Sequence, residues 1–219
     1  MTDQARLMDR IYRLQVPVYD MTRRFILPGR DRLLGRITVR SGDRVLEAGC
    51  GTARNLIALA RRHPRAAFFG LDASQKMIAY AARKVKRAGL SQRITLHHLL
   101  VEELDGDTPL RAVRPFDAAI FSYSLSMIPD CVEALDGVLA SVSEGGEVAI
   151  VDFGDMRSLP KMLQRLVTWW LALFHVVPRP EILDHLAELE RAGRGVLEIE
   201  HLPARYAFVA HFRKRGQRG

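Results

Sequence analysis

Apolar positions change their period several times along this chain. Leu7, Ile11, Leu14 and Val18 recur at helical spacing, with Arg6, Arg10 and Arg13 on other faces. Pro17 interrupts that run. Pro28-Gly29 marks a break, and a further short helix is predicted through Leu33 and Ile37. Short apolar runs then alternate with amphipathic segments. They predict strand 43–48, helix 53–62, strand 66–71, helix 74–88, strand 93–98 and a turn or short helix near 101–104. Strand 116–121, helix 131–140 and strand 146–152, behind the Glu144-Gly145-Gly146 turn, continue the series. Such alternation implies an α/β fold with a doubly wound, mostly parallel sheet.

After Asp155 the pattern changes. Leu159, Met162, Leu163, Leu166, Trp170 and Leu173 make an apolar stripe on one long helix predicted to end near Pro178. The apolar stretch from Leu166 to Val177 is too short to span a bilayer. It fits either a buried cap over a site or an interfacial element. Residues 180–191 read as another helix, and Val196–Glu200 and Tyr206–Arg213 as two further strands, giving seven. The expected organisation is a helical lid over residues 1–40 and one domain over 41–219, with a helical cap at about 156–192.

A chain of 219 residues suits one such domain, and a 48% hydrophobic fraction is ample for its core. The formal charge of +8 and pI near 10 come mostly from arginine, which forks phosphates and carboxylates well. Anionic lipid headgroups, nucleic acid or simple solubility all fit that excess. Two cysteines, Cys50 and Cys131, point to a reducing compartment rather than a disulfide scaffold. The polar opening residues do not resemble a secretory signal, so a cytoplasmic location is expected.

The chemistry gathers around Val45-Leu46-Glu47-Ala48-Gly49-Cys50-Gly51-Thr52-Ala53-Arg54-Asn55 and Phe68-Phe69-Gly70-Leu71-Asp72-Ala73-Ser74. The first is an apolar strand ending in an acid and a Gly-x-Gly turn that opens a helix. The second ends in an aspartate at the distance expected for holding a ribose. Gly49 and Gly51 are expected to let backbone touch a ligand and to adopt torsions that other residues disfavour. A dinucleotide fingerprint would place a small residue at Arg54, so the pattern favours an adenosyl cofactor without a pyrophosphate.

This pattern resembles motif I and the second-strand acid of class I S-adenosylmethionine-dependent methyltransferases, a Rossmann-like fold in which Val196–Glu200 and Tyr206–Arg213 would form the closing antiparallel hairpin. The resemblance implies S-adenosyl-L-methionine as donor, its methionine part against the glycines and its ribose on Asp72. The donor-binding set is then Glu47, Gly49, Gly51, Asn55, Asp72, Ala73, Met77, Leu100, Val101 and Ser122. Aligning Val101-Glu102-Glu103-Leu104 with the usual run after the third strand puts Leu100 where such enzymes often carry an acid for the adenine amine. Apolar contact and the backbone near Val101 are expected to replace it.

Further segments narrow the resemblance. Tyr19-Asp20-x-Thr22-Arg23-Arg24, Gly29-Arg30-Asp31-Arg32-Leu33, Ser122-Tyr123-Ser124-Leu125-Ser126-Met127-Ile128-Pro129-Asp130, Val151-Asp152-Phe153-Gly154-Asp155 and Phe174-His175-Val176-x-Pro178-Arg179 occur in that order. Together they look like the bacterial diacylglyceryl-homoserine N-methyltransferases, which make a betaine lipid by three methylations of one amine. That resemblance implies a lipid substrate, no metal, and peripheral action on an anionic inner membrane face. Phosphatidylethanolamine is the alternative headgroup. A basic nucleic-acid-binding protein retaining the fold is a further alternative, weakened by the lack of an Asn-Pro-Pro-Tyr or Asp-Pro-Pro-Tyr stretch after the fourth strand.

Methyl transfer to an amine needs alignment, desolvation and removal of a proton to expose the lone pair. Tyr123, Tyr19 and His175 are the candidate catalytic groups, either accepting that proton or facing the methylated cation. Tyr12 and Asp152 are candidates for substrate contact. Arg23, Arg24 and Arg179 either clamp a carboxylate or face solvent and lipid phosphate. His97 and His98 are adjacent on a strand and point to opposite faces, which argues against a metal pair. Membrane contact is expected from the amino-terminal basic helices and Trp169-Trp170.

Overall fold

The computed structural model describes residues 27–104, 114–173 and 176–216. The expected helix around Leu7–Val18 lies outside those residues, as do Tyr12, Tyr19, Arg23, Arg24 and His175. The described elements run α1 (Arg30–Arg36), β1 (Arg44–Ala48), α2 (Arg54–Arg62), β2 (Ala67–Asp72), α3 (Gln75–Arg87) and β3 (Ile94–His98). They continue with β4 (Phe116–Ser122), α4 (Cys131–Ser141), β5 (Val142–Phe153), α5 (Lys161–Ala172), α6 (Glu181–Arg191), β6 (Gly195–His201) and β7 (Ala207–Lys214).

One seven-stranded sheet has the order β3-β2-β1-β4-β5-β7-β6. Strands β1 to β5 pair in parallel, and β7 is antiparallel to both β5 and β6. Strand order reverses between β1 and β4, and the crevice beyond the carboxyl ends of these strands is where such sheets bind ligands.

Alternation along each strand builds the two cores. Val45, Ala118, Ile120, Ala149 and Val151 face one way, against Leu33 of α1, Leu56 and Leu59 of α2 and Ala81 of α3. Leu46, Ala119, Phe121, Val148 and Ile150 face the other, against Leu135 and Val138 of α4 and Ile182 and Leu186 of α6. Both faces are covered, as near-continuous apolar strands require.

Two predicted boundaries are corrected. Strand β5 begins at Val142, opposite Phe116, and its register then jumps so that Glu147 opposes Ala118. The Glu144-Gly145-Gly146 turn is therefore a bulge inside the strand rather than its start. Gly145 has a positive φ of 75°, and a side chain at Gly146 would strike the Asp117 carbonyl. Helix α5 ends at Ala172, well short of Pro178. Its inner side is Val167, Trp170 and Leu171, whereas Met162, Leu163, Leu166 and Leu173 of the predicted stripe point to solvent.

Helix α1 lies across the sheet. Arg32 pairs with Glu200, and Arg36 reaches Glu198 at 2.7 Å. Gly29, at φ 88°, precedes it where a side chain would press on Leu202, Val151 and Val209. Pro28 and Arg30 are thereby held over the carboxyl ends of β4 and β5.

Candidate active site

The glycine turn after β1 is fixed from three directions. Glu47 is buried, and its Oε1 accepts from Asn55 Nδ2 at 2.6 Å, tying β1 to the first turn of α2. Asp72, at the end of β2, accepts the Gly51 amide at 2.8 Å and the Ser74 amide at 2.9 Å. Ser124, beyond β4, donates its hydroxyl to the Ala48 carbonyl at 2.8 Å. Gly49 and Gly51 both have positive φ, 75° and 53°. A Cβ on Gly49 would overlap Ser124 Cβ. The missing side chain thus lets the loop beyond β4 close on the turn, a protein–protein reason beside the expected ligand contact.

A small crevice opens here between Glu47, Gly49, Asn55, Ser122 and Arg30. Ser122 Oγ is buried and bonds no group among the described residues. Arg30 reaches in from α1, its guanidinium 5.9 Å from the Tyr123 ring centre. Sequence reasoning quoted Arg30 within a segment but did not choose it. No local signal marks it, since only the packing of Gly29 brings it to this place.

On the neighbouring strands, Asp72 and Ala73 meet the segment after β3. The Leu99 amide donates to the Asp72 carbonyl at 3.2 Å, and His98 Nε2 lies 3.0 Å from the Ala73 carbonyl. Leu100 and Val101 follow directly, with Leu100 donating its amide to Glu103 at 3.0 Å. Met77 is fully buried, and its amide donates to the Ser74 hydroxyl that caps α3. Cys50 is buried beneath the turn. Burial, with the Asp72 and Glu47 charges added, pushes its thiol pKa up, away from nucleophilic use.

Beyond β4 and β5 the character changes to aromatic. Tyr123 holds a positive φ of 56°, a strained position for a bulky residue. Its hydroxyl donates to the Pro28 carbonyl at 2.5 Å. The Tyr123 and Phe153 rings pack edge to face at 4.8 Å, and Phe153 packs likewise on Tyr206 at 5.7 Å. Tyr206 was foreseen only as a strand residue. Burial first, then the Asp152 charge, drives the Tyr123 phenol's pKa far up. Its hydroxyl is held as a donor to Pro28, and its ring is part of the aromatic row beyond β4 and β5.

Asp152 is itself buried and accepts the Ser126 amide at 3.1 Å and the Phe153 amide at 2.8 Å. Burial raises its pKa to about 6 against the opposing pull of those bonds. Arg179 sits elsewhere, outside the crevice lining. It donates to the Ile128 carbonyl at 3.1 Å and lies 3.4 Å from Glu181, latching the stretch before α6 onto the loop before α4.

This topology and this strand-to-turn geometry are those of the class I S-adenosylmethionine-dependent methyltransferase fold. S-adenosylmethionine is the cofactor of that class, and the residues present fit it. Asp72 ends β2 where the resemblance expects the ribose acid, Gly49 and Ser122 line the crevice with Ser122 Oγ bonded to no group among the described residues, and Arg30 lines it from α1.

Residues 39–191 match the family model of a methyltransferase domain, so the chain belongs to that family. It is similar to a demethylmenaquinone methyltransferase of Bacillus subtilis (strain 168), 29% identical over 151 residues, covering 68% of this chain and 60% of that protein. It is also similar to a phosphatidylethanolamine N-methyltransferase of Cereibacter sphaeroides, 30% identical over 141 residues, or 62% and 65% of the two chains. The match thus spans less than two thirds of either relative. Among solved structures, the plantazolicin methyltransferase BpumL superposes with a TM-score of 0.68 at 12% identity, over 97% of this chain and 96% of its own. The [4+2]-cyclase SpnF does so with 0.67 at 18% identity, over 85% and 80%. A cyclase on the same fold shows why the acceptor must be argued from the site.

Proposed function

We propose that this protein is an N-methyltransferase that methylates the amine of a lipid headgroup in succession, with diacylglyceryl-homoserine as substrate and the trimethylated betaine lipid as product. The observation that carries the proposal is the row of aromatic rings, Tyr123, Phe153 and Tyr206, beside buried Asp152 and next to the donor crevice. Aromatic faces hold alkylated ammonium ions, by about 0.5–2 kcal/mol each. A second support is the run of segments from Ser122 to Asp155 that resembles the betaine-lipid enzymes.

S-adenosylmethionine supplies an electrophilic methyl group on a sulfonium. The chain's residues then have three tasks. The strap at Pro28–Arg30 and the Ser124 loop exclude water around the crevice. The aromatic row, with Tyr123 and Phe153 buried and Tyr206 half-buried, is assigned the ammonium and its growing methyl content. Asp152, moved toward neutrality by burial, is assigned the proton that the ammonium gives up to expose its lone pair. His175 and Tyr19, expected at the same place, lie outside the described residues and stay candidates for that proton, with Tyr12, Arg23 and Arg24 as headgroup contacts.

Phosphatidylethanolamine is the second reading, favoured by the relative from Cereibacter sphaeroides. Purified protein with labelled donor and vesicles of each lipid separates the two. Mono-, di- and trimethylated diacylglyceryl-homoserine is the expected product. Methylation of phosphatidylethanolamine alone moves the assignment to that headgroup. Methylation of a demethylated quinone and neither lipid, as the name of the Bacillus subtilis relative would have it, overturns the amine reading.

A further inference from the structure

Helix α5 carries its apolar side outward. Met162, Leu166, Trp169 and Leu173 follow one another at helical spacing, and they are 85%, 58%, 61% and 58% exposed. Val167, Trp170 and Leu171 take the inner side, Leu171 being 1% exposed. A soluble helix with its apolar stripe facing water marks a docking surface. The adjoining row is Lys161, Arg165 and Thr168, which line a shallow open groove with Trp169. Helix α5 itself carries Lys161 and Arg165 and not one Asp or Glu.

We propose that this outer face of α5 docks the protein on an anionic membrane surface. Charge decides the occupant. A partner for this face must accept Lys161 and Arg165, to which α5 itself offers no anion, and must bury a ridge of Met, Leu and Trp. An anionic bilayer surface does both: acyl chains take the ridge and headgroups take the flanking bases. Dimerisation through this face would set Lys161 and Arg165 of each copy against their own kind. No helix among the described residues is long and apolar enough to cross a membrane, so the contact is a surface one.

The face also lies where a lipid must arrive. Gln164 Nε2 donates to the Asp155 carbonyl at 3.1 Å, fixing the helix to the carboxyl end of β5. The Val177 amide donates to the Ser126 carbonyl at 3.0 Å, returning the chain to the loop that bonds Asp152. The docking surface and the aromatic row thus share one edge of the sheet. This proposal deepens the lipid reading but is tested without turnover, so either can fail alone.

The chain's two tryptophans, neighbours with opposite exposure, provide the test. Trp170→Phe leaves Trp169 as the only reporter, and Trp169→Phe leaves Trp170. With vesicles of phosphatidylglycerol and phosphatidylcholine carrying brominated acyl chains, Trp169 fluorescence shifts blue and is quenched, while Trp170 changes little. Equal responses, or a Trp169 signal unmoved by vesicles, overturn the proposal. In co-sedimentation, Leu166→Glu weakens vesicle binding about tenfold or more, and Lys161→Glu and Arg165→Glu about fivefold each. S-adenosylhomocysteine titrations confirm that each variant remains folded and competent for the cofactor. Unaltered sedimentation of all three variants, or a Leu166→Glu variant that changes only the oligomeric state, sinks the membrane assignment.

Discussion

The two ends of the crevice are built in opposite ways. The donor end is one stretch of chain, Glu47 to Ser74, whose parts touch within a turn or across one strand pair: Asn55 on Glu47, and Gly51 and Ser74 on Asp72. The proposed acceptor end is assembled from distant segments. Tyr123 bonds Pro28, Asp152 bonds Ser126, and Arg205 pairs with Asp155. A short, self-contained unit fixes a common cofactor by backbone geometry. A site gathered from several loops sets its chemistry through packing, which is where members of one fold can differ.

If that division is real, the two ends separate under mutation, most sharply at Asp72. Asp72→Ala removes the carboxylate expected to hold the ribose and leaves the Gly51 and Ser74 amides without their acceptor. Affinity for S-adenosylhomocysteine, measured by calorimetry, should fall about 100-fold or more, as losing charge-assisted bonds implies. Vesicle binding should hold. Comparable losses of both would mean the ends form one unit.

The joint between them gives the next effect. Gly49→Ala places a Cβ onto Ser124 at a φ of 75° and should destabilise the fold by about 2–4 kcal/mol in urea titrations. In a Ser124→Gly background, which lacks both the overlap and the hydroxyl's bond to Ala48, Gly49→Ala should cost less than half as much as in the parent. The cost of Gly49→Ala in that background is backbone strain, of order 1–2 kcal/mol. Independent, additive costs would show that the loop beyond β4 does not rest on the turn.

The same division explains what could be read from the sequence. Strand and helix order and the Glu47–Asp72 set follow from periodicity and spacing within some 30 residues. The bulge at Ser143–Gly146 escaped because a Gly-Gly turn signal looks the same before a strand as inside one. The α5 stretch reads equally as a buried cap or an interfacial element, because periodicity locates a stripe but not the side that is covered. Arg30 and Tyr206 reach the site only through contacts far along the chain, and no spacing rule encodes those. Arg179 was chosen for its chemistry, and the structure shows that chemistry engaged by Ile128 and Glu181.

A smaller effect tests the strap that closes the acceptor end. Tyr123→Phe keeps the ring against Phe153 and deletes the bond to Pro28. It should lower stability by about 1 kcal/mol, with amide exchange rising at Arg30–Arg36 rather than across β1. Faster exchange spread evenly over both would contradict a strap held locally.

The smallest effects concern two acids three residues apart on the acceptor edge, whose titrations run in opposite directions. Asp155 is gripped by both nitrogens of the Arg205 fork at 2.8 Å, and that bond draws its pKa from 3.8 to about 2. Its contribution is present above pH 4 and disappears as pH falls toward 2. Asp152 has no such cation, and burial raises it to about 6, so the folded state favours its protonated form. Its contribution is present below about pH 4 and is lost as pH rises through 6. Urea midpoints from pH 2.5 to 7.5 should therefore show Asp155→Asn losing less stability than the parent on the acid side. Asp152→Asn should gain on the parent between pH 4 and 7. Midpoints of Asp152→Asn that track the parent across that window would mean the carboxyl is solvated. It would then be no better a proton acceptor than any surface acid, and the proton would pass to a group outside the described residues.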